Sequence, residues 1–182
     1  MMATAILLIK LFLYLCSKLF GRPKTETESF YNISQSRKQK LEKKDMDIKN
    51  LLNETDRFAA VDGCKLTEVN EQHAVATMTV TDNHLNGGNV CQGGALFTLA
   101  DLAIAALMNR NGLLTFGISN SIMFVASARK GDTIYAEATF VSNHHKIPSV
   151  EVNITNQDNV LICHVTGMGY RKNMPLPQSA KE

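Results

Sequence analysis

Three residues in the stretch from Asn86 to Asn111, NGGNVCQGGALFTLADLAIAALMNRN, have the types and the spacing for chemistry. Asp101 is a carboxylate in a run that, from Ala95 to Met108, is otherwise apolar except at Thr98. The pattern predicts a helix from Gly94 to about Asn109, and a helix that is apolar all round is normally buried. An ionised carboxylate without partners is costly to bury and responds by shifting its pKa, which makes it a candidate for chemistry. Gly93 and Gly94 stand where that helix begins. A helix N-terminus offers N–H groups with no partner inside the helix and the positive end of its dipole. Residues without side chains there let a carbonyl approach closely. On residue types alone, a core carboxylate satisfied by a neighbouring Ser or Thr is an equally good reading of Asp101. The two glycines could likewise serve only the turn.

The elements around this stretch read as follows. Ile48, Leu51, Leu52 and Phe58 suggest a short amphipathic helix over 47–58. Cys64–Asn70 and His73–Thr81 read as a hairpin across Glu71-Gln72, the second strand alternating Ala74, Ala76, Met78 and Val80 against Val75, Thr77 and Thr79. A turn over Asp82–Asn89 leads into the helix, and Gly112 can cap its end. His84 reads as a turn residue. Beyond the helix only strands are expected, at Thr115–Ser127, Thr133–Ser142, Ser149–Thr155 and Val160–Tyr170. Their turns fall at Lys130-Gly131-Asp132 and Asn156–Asn159. Two strands, one buried helix and a meander of strands mean an antiparallel sheet wrapped on one helix, an α+β fold.

The 182 residues suffice for one domain with an appendage, and the 45% hydrophobic content fits a globular core. The net charge of +2 is uneven. Residues 1–45 carry nine Lys/Arg and four Asp/Glu, whereas 46–182 carry ten and thirteen. A mildly acidic domain argues against a nucleic-acid partner. Cys16, Cys64, Cys91 and Cys163 are scattered with no CxxC pair, so neither a zinc site nor a disulfide framework is indicated, and reduced thiols in a cytoplasmic protein are expected. Cys91 reads as a buried small hydrophobe, because the neighbouring Gln92 is no base for a thiol.

Residues 3–20, ATAILLIKLFLYLCSKLF, are strongly apolar but short for a membrane span and interrupted by Lys10. Lys10, Tyr14, Ser17 and Lys18 fall on one stripe, a pattern that would let the segment lie in a membrane interface. Residues 21–45 are polar and basic and read as a linker or a loose helix. The working protein is expected to begin near Met46, with the upstream part an anchor or a mis-assigned start. The expected division is 1–45 as N-terminal segment, 46–174 as the domain, and 175–182 as a tail.

The run N86-G-G-N-V-C-Q-G-G-A-L-F-T-L-A-D101, followed by G117-I-S119 and R129-K-G-D132, resembles the hotdog-fold thioesterases, most closely the PaaI-type acyl-CoA thioesterase subfamily. The resemblance covers about residues 55–172. It is carried by an Asn, a Gly-Gly seven residues on, and an Asp eight residues after the first Gly within LFTLAD. It implies a hotdog fold and hydrolysis of an acyl-CoA to a free acid and coenzyme A, with no metal and no redox cofactor. It implies Asp101 as general base or nucleophile, the Gly93 N–H as the donor that polarises the thioester carbonyl, Asn86 as a holder of water or substrate, and Ser119 as an aid to that water. Gln92 stands where many relatives have His. Gln does not exchange a proton as His does, so a positioning role is what survives for it. Gly94 is expected to line the substrate. Arg129, Lys130, His145 and Lys146 could meet the phosphates of coenzyme A, or be solvated turns.

Spacing adds an inference independent of the resemblance. Eight helical residues separate Gly93 and Asp101 by about 12 Å along the axis. A reacting carbonyl must lie within roughly 3–3.5 Å of its attacking atom. One chain's two groups therefore do not share a carbonyl. Two antiparallel copies would bring Gly93 of one to Asp101 of the other, so a homodimer is expected, with a dimer of dimers as the larger assembly. Phe116, Ile122, Met123 and Phe124 favour an apolar acyl group. Two other functions compete. A dehydratase of this fold wants a His beside its carboxylate, and residues 85–143 contain none. A non-catalytic acyl-CoA binding or sensing module would usually carry a DNA-binding segment, and residues 1–45 lack a helix-turn-helix pattern.

Overall fold

The computed structural model describes residues 48–176. The expectations for residues 1–45, for the domain's first two residues and for the end of the tail lie outside them. Helix α1 covers 48–55 and α2 covers Arg57–Val61, so the expected single helix is broken at Asp56. Asp56 is the reason: it takes a non-helical conformation and its Oδ1 accepts the Ala59 N–H at 3.0 Å, starting a new helix.

Strand β1 (Lys65–Val69) and β2 (His73–Thr79) form the expected hairpin, with Asn70 Oδ1 accepting the Gln72 and His73 N–H groups in its turn. A 3-10 turn at Asp82–His84 leads to α3, Gly93–Asn109. Four further strands follow: β3 (Leu113–Phe124), β4 (Thr133–Ser142), β5 (Ser149–Asn156) and β6 (Leu161–Pro175). Together they make one antiparallel sheet in the order β1-β2-β4-β5-β6-β3. The expected meander holds only for β4-β5-β6. β3 and β4 do not pair, because β3 crosses to the far edge beside β6 while β4 returns to β2. No helix among the described residues is long and apolar enough to cross a membrane.

The sheet wraps α3, which packs chiefly on β2 and β4. Small residues make the close approach feasible. Ala74 pairs with Ala138 and Ala76 with Ala136, all four fully buried, and Leu99, Ala100, Ala103 and Leu107 of α3 are fully buried as well. The end of α3 is tied to β3 through buried Asn109. Its Nδ2 donates to Ala105 O at 2.9 Å and Thr115 O at 3.1 Å, and its Oδ1 accepts from Thr115 N at 2.7 Å. Gly112, at φ +73, reverses the chain just beyond and donates to Asn109 O. One long helix gripped by a single antiparallel sheet is the hotdog architecture, α+β in class.

Helix α3 is not buried all round, contrary to the sequence expectation. Gly94 and Asp101 are exposed, and Phe97, Thr98 and Ala105 are half-buried. These positions recur every three to four residues, so they form one open stripe along the helix.

Candidate active site

Asp101 sits at the middle of that open stripe rather than in the core. Its chain-mate across the gap is Asn120 of β3, whose Nδ2 donates to Asp101 Oδ1 at 3.4 Å. The surrounding protein still desolvates the carboxylate and pushes its pKa above the ordinary value. The negative charge of Asp56 adds to the rise, and the Asn120 hydrogen bond opposes it.

Gly93 is the first residue of α3, and its N–H meets no acceptor among the described residues. Its missing side chain is required by a neighbour: a Cβ there would stand 2.7 Å from Phe124 Cζ and 3.0 Å from Cε1. Gly94 differs. Its N–H is taken by the side chain of Gln92, the N-cap of the helix. The Gln92 N–H donates in turn to His84 O at 2.7 Å. Gln92 thus fixes the first turn of α3 and leaves the Gly93 N–H as the outward donor. His84 is buried and accepts the Thr81 N–H on Nδ1 at 2.9 Å, so it is a structural part of the turn. Asn86 is exposed, and its Oδ1 accepts the Gly88 N–H at 2.8 Å and the Val90 N–H at 3.4 Å. That carbonyl shapes the turn, and the Nδ2 is the end with capacity for a ligand.

Ser119 makes no hydrogen bond to Asp101 among the described residues. Neighbouring strand residues point to opposite faces, and Asn120 takes the face toward α3. Ser119 pairs with Met168 and lines a hollow on the outer face with Ser121, Val141, Ser149 and Thr166. The four basic residues divide as well. Arg129 and Lys130 precede β4 near the start of α3, where the Cys91 N–H donates to Ala128 O, and Lys130 Nζ is paired with Asp82 at 2.6 Å. His145 and Lys146 lie between β4 and β5 at the other end of the helix, where Arg171 bridges His144 O and Met108 O. Lys146 Nζ stands 5.6 Å from the Tyr170 ring. One protomer's four basic groups do not converge on a single anion. The thiols of Cys64, Cys91 and Cys163 are buried and pushed up to about 12, 11 and 11, as suits inert core residues.

Two residues at the site were missed from sequence. Asp56 reaches it only through the tertiary fold. Asn120 did leave a signal: it is the polar exception in the alternation Asn120, Ile122, Phe124. A bulge between Gly117 and Ser119 obscures which face that alternation takes.

Comparison with known proteins bears on the family and the fold. Residues 83–163 match the thioesterase superfamily. A putative esterase of Archaeoglobus fulgidus is 33% identical over 133 residues, covering 73% of this chain and 86% of the relative. The acyl-coenzyme A thioesterase PaaI of Escherichia coli is 34% identical over 118 residues, covering 65% of this chain and 84% of that protein. The solved structure of the E. coli PaaI protein superimposes with a TM-score of 0.72 at 31% identity, covering 75% of this chain and 99% of that one.

Proposed function

Since the chain belongs to the thioesterase superfamily and is an acyl-CoA thioesterase, we propose that it hydrolyses its substrate at a site shared between two copies, with Asp101 of one and the Gly93 N–H of the other. In that site the Gly93 N–H donates to the thioester oxygen as it becomes negative, at the positive end of the helix dipole. As a base, Asp101 takes a proton from water as the water adds at the carbonyl carbon, and the C–S bond then breaks with that proton passing to the departing coenzyme A thiolate. As a nucleophile, its carboxylate adds at the carbonyl carbon, the C–S bond breaks to leave a mixed anhydride and coenzyme A thiolate, and water hydrolyses the anhydride to the free acid and Asp101, with the water's proton passing to the thiolate. Water and these two groups suffice, so no metal or redox cofactor enters the reaction. Asn86 and Gln92 hold the turn that presents Gly93.

The observation that carries this reading is the pairing on one helix of an unbonded N–H at Gly93 with a carboxylate on the open stripe at Asp101. The edge strand supports the sharing. Among the described residues β3 pairs only with β6, and along its twelve residues its other side has no strand partner there. Phe116, Ile118, Met123 and Phe124 on it are each more than half exposed. A long apolar edge wants covering, and a second β3 laid antiparallel would continue the sheet and set the two α3 helices side by side. Release of thiol from a panel of acyl-CoAs tests the activity. An Asp101→Asn protein that keeps wild-type rates would refute the role of the carboxylate.

A further inference from the structure

We propose that Asn120 is a positioning residue for the reaction: its amide holds the Asp101 carboxylate in a fixed orientation and favours its charged form, and Gly167 provides the space in which that amide sits. This rests on the reading of Asp101 as the reacting carboxylate.

The geometry is a stack of three residues. Gly167 of β6 pairs with Asn120 of β3, and Asn120 Nδ2 reaches Asp101 Oδ1 at 3.4 Å. A Cβ on Gly167 would stand 2.7 Å from Asn120 Oδ1, 3.1 Å from Ile104 Cδ1 and 3.2 Å from Val150 Cγ2. The amide oxygen therefore occupies a slot that exists only because residue 167 has no side chain. That oxygen is buried and meets no donor among the described residues. A buried acceptor without a donor is unfavourable, so something must hold the amide this way round. The carboxylate does. Turning the amide over would set two acceptor oxygens against each other for as long as Asp101 is ionised. The arrangement thus commits one oxygen of Asp101 to Asn120 and leaves Oδ2 for proton transfer or attack.

The groups that act on the charge of Asp101 are Asp56, at the start of α2, and Asn120 itself; among the described residues no cation opposes Asp56 there. Among the described residues Asn120 is then the one group that favours the ionised form, against burial and a like charge. A residue that merely filled space would leave the titration of Asp101 unchanged.

The test is the titration of Asp101 followed by carboxyl 13C chemical shift in the full chain, beside the pH profile of kcat/KM, for Asn120→Leu and Gly167→Ala. Leu matches the size of Asn and removes the donor. Ala keeps the Asn and evicts its amide. The expected result is that both variants titrate Asp101 at higher pH than wild type, with the acid limb of kcat/KM moving the same way and kcat falling about tenfold while KM changes less. If Asn120→Leu fails to fold, Gly167→Ala alone decides. Unchanged titration with kcat/KM within about twofold of wild type would overturn the proposal. Asp101→Asn, measured in parallel, separates the two failures: if it is inactive, only the role of Asn120 has fallen, and if it is active, the reading of Asp101 has fallen first.

Discussion

Gly93 and Phe124 are matched to each other: the ring of Phe124 lies over the first residue of α3 so closely that any Cβ at position 93 would stand 2.7 Å from Cζ. The tip of the ring thereby stands against the helix N-terminus, where the Gly93 N–H meets no acceptor among the described residues. Gly93→Ala keeps the N–H yet forces the ring aside. Phe124 is more than half exposed and can swing aside, so we expect a stability loss under about 1 kcal/mol, below that of core overpacking, together with lower activity. Chemical denaturation and thiol release, with and without Phe124→Leu, check this.

Asp101→Asn should reduce kcat by about 100-fold or more and leave the fold intact. The direction of its pKa shift adds a stability test. A carboxylate whose folded pKa is raised binds its proton more tightly in the native state than in the unfolded chain. Stability then falls as pH rises from the unfolded pKa through the folded one, and the loss persists above it. The variant should match wild type in acid and equal or exceed its Tm at neutral pH, which thermal scans from pH 3 to pH 8 would read.

Asp56→Asn isolates the charge that repels Asp101. Asn caps a helix about as well as Asp, so α2 and the Ala59 N–H bond should survive. Removing the negative charge should move the acid limb of kcat/KM to lower pH, the opposite direction from Asn120→Leu. A limb that stays in place would show that Asp56 does not act on the reacting group.

Asn109→Ala tests what fixes β3 against α3. The substitution removes three hydrogen bonds to Ala105 O, Thr115 O and Thr115 N in a buried setting. A loss of about 2–4 kcal/mol is expected, because the groups left behind stay buried. Activity should fall with it, since the register that brings Asn120 to Asp101 is set from this knot. Denaturation midpoints and rates on the same preparation give both.

What could be read from the sequence was what depends on neighbours along the chain. The strand Thr133–Ser142 was bounded correctly by alternation alone, and α3 was displaced by one residue because Gln92, not Gly93, is its cap. The pairing of β3 with β6 rather than β4 was not legible, because nothing local encodes which edge a strand joins. The same limit explains Ser119 and Asn120, where a bulge decides which of two adjacent residues faces the helix. The exposure of Asp101 was misjudged for another reason. In composition, a helix with one open stripe looks the same as one covered all round.

The most direct test of the central claim, one site built from two chains, is complementation. Asp101→Ala and Gly93→Pro chains are prepared in a Phe124→Leu background, so that the proline ring has room, and are then mixed through denaturation and refolding. Pro suits the first position of a helix and removes only the N–H there. Each protein alone should be inactive. In the mixture, half the dimers are mixed and each of those holds one complete site, so about a quarter of the activity of the Phe124→Leu protein should return. A mixture in which native mass spectrometry finds the mixed dimer and thiol release stays at background would contradict the account.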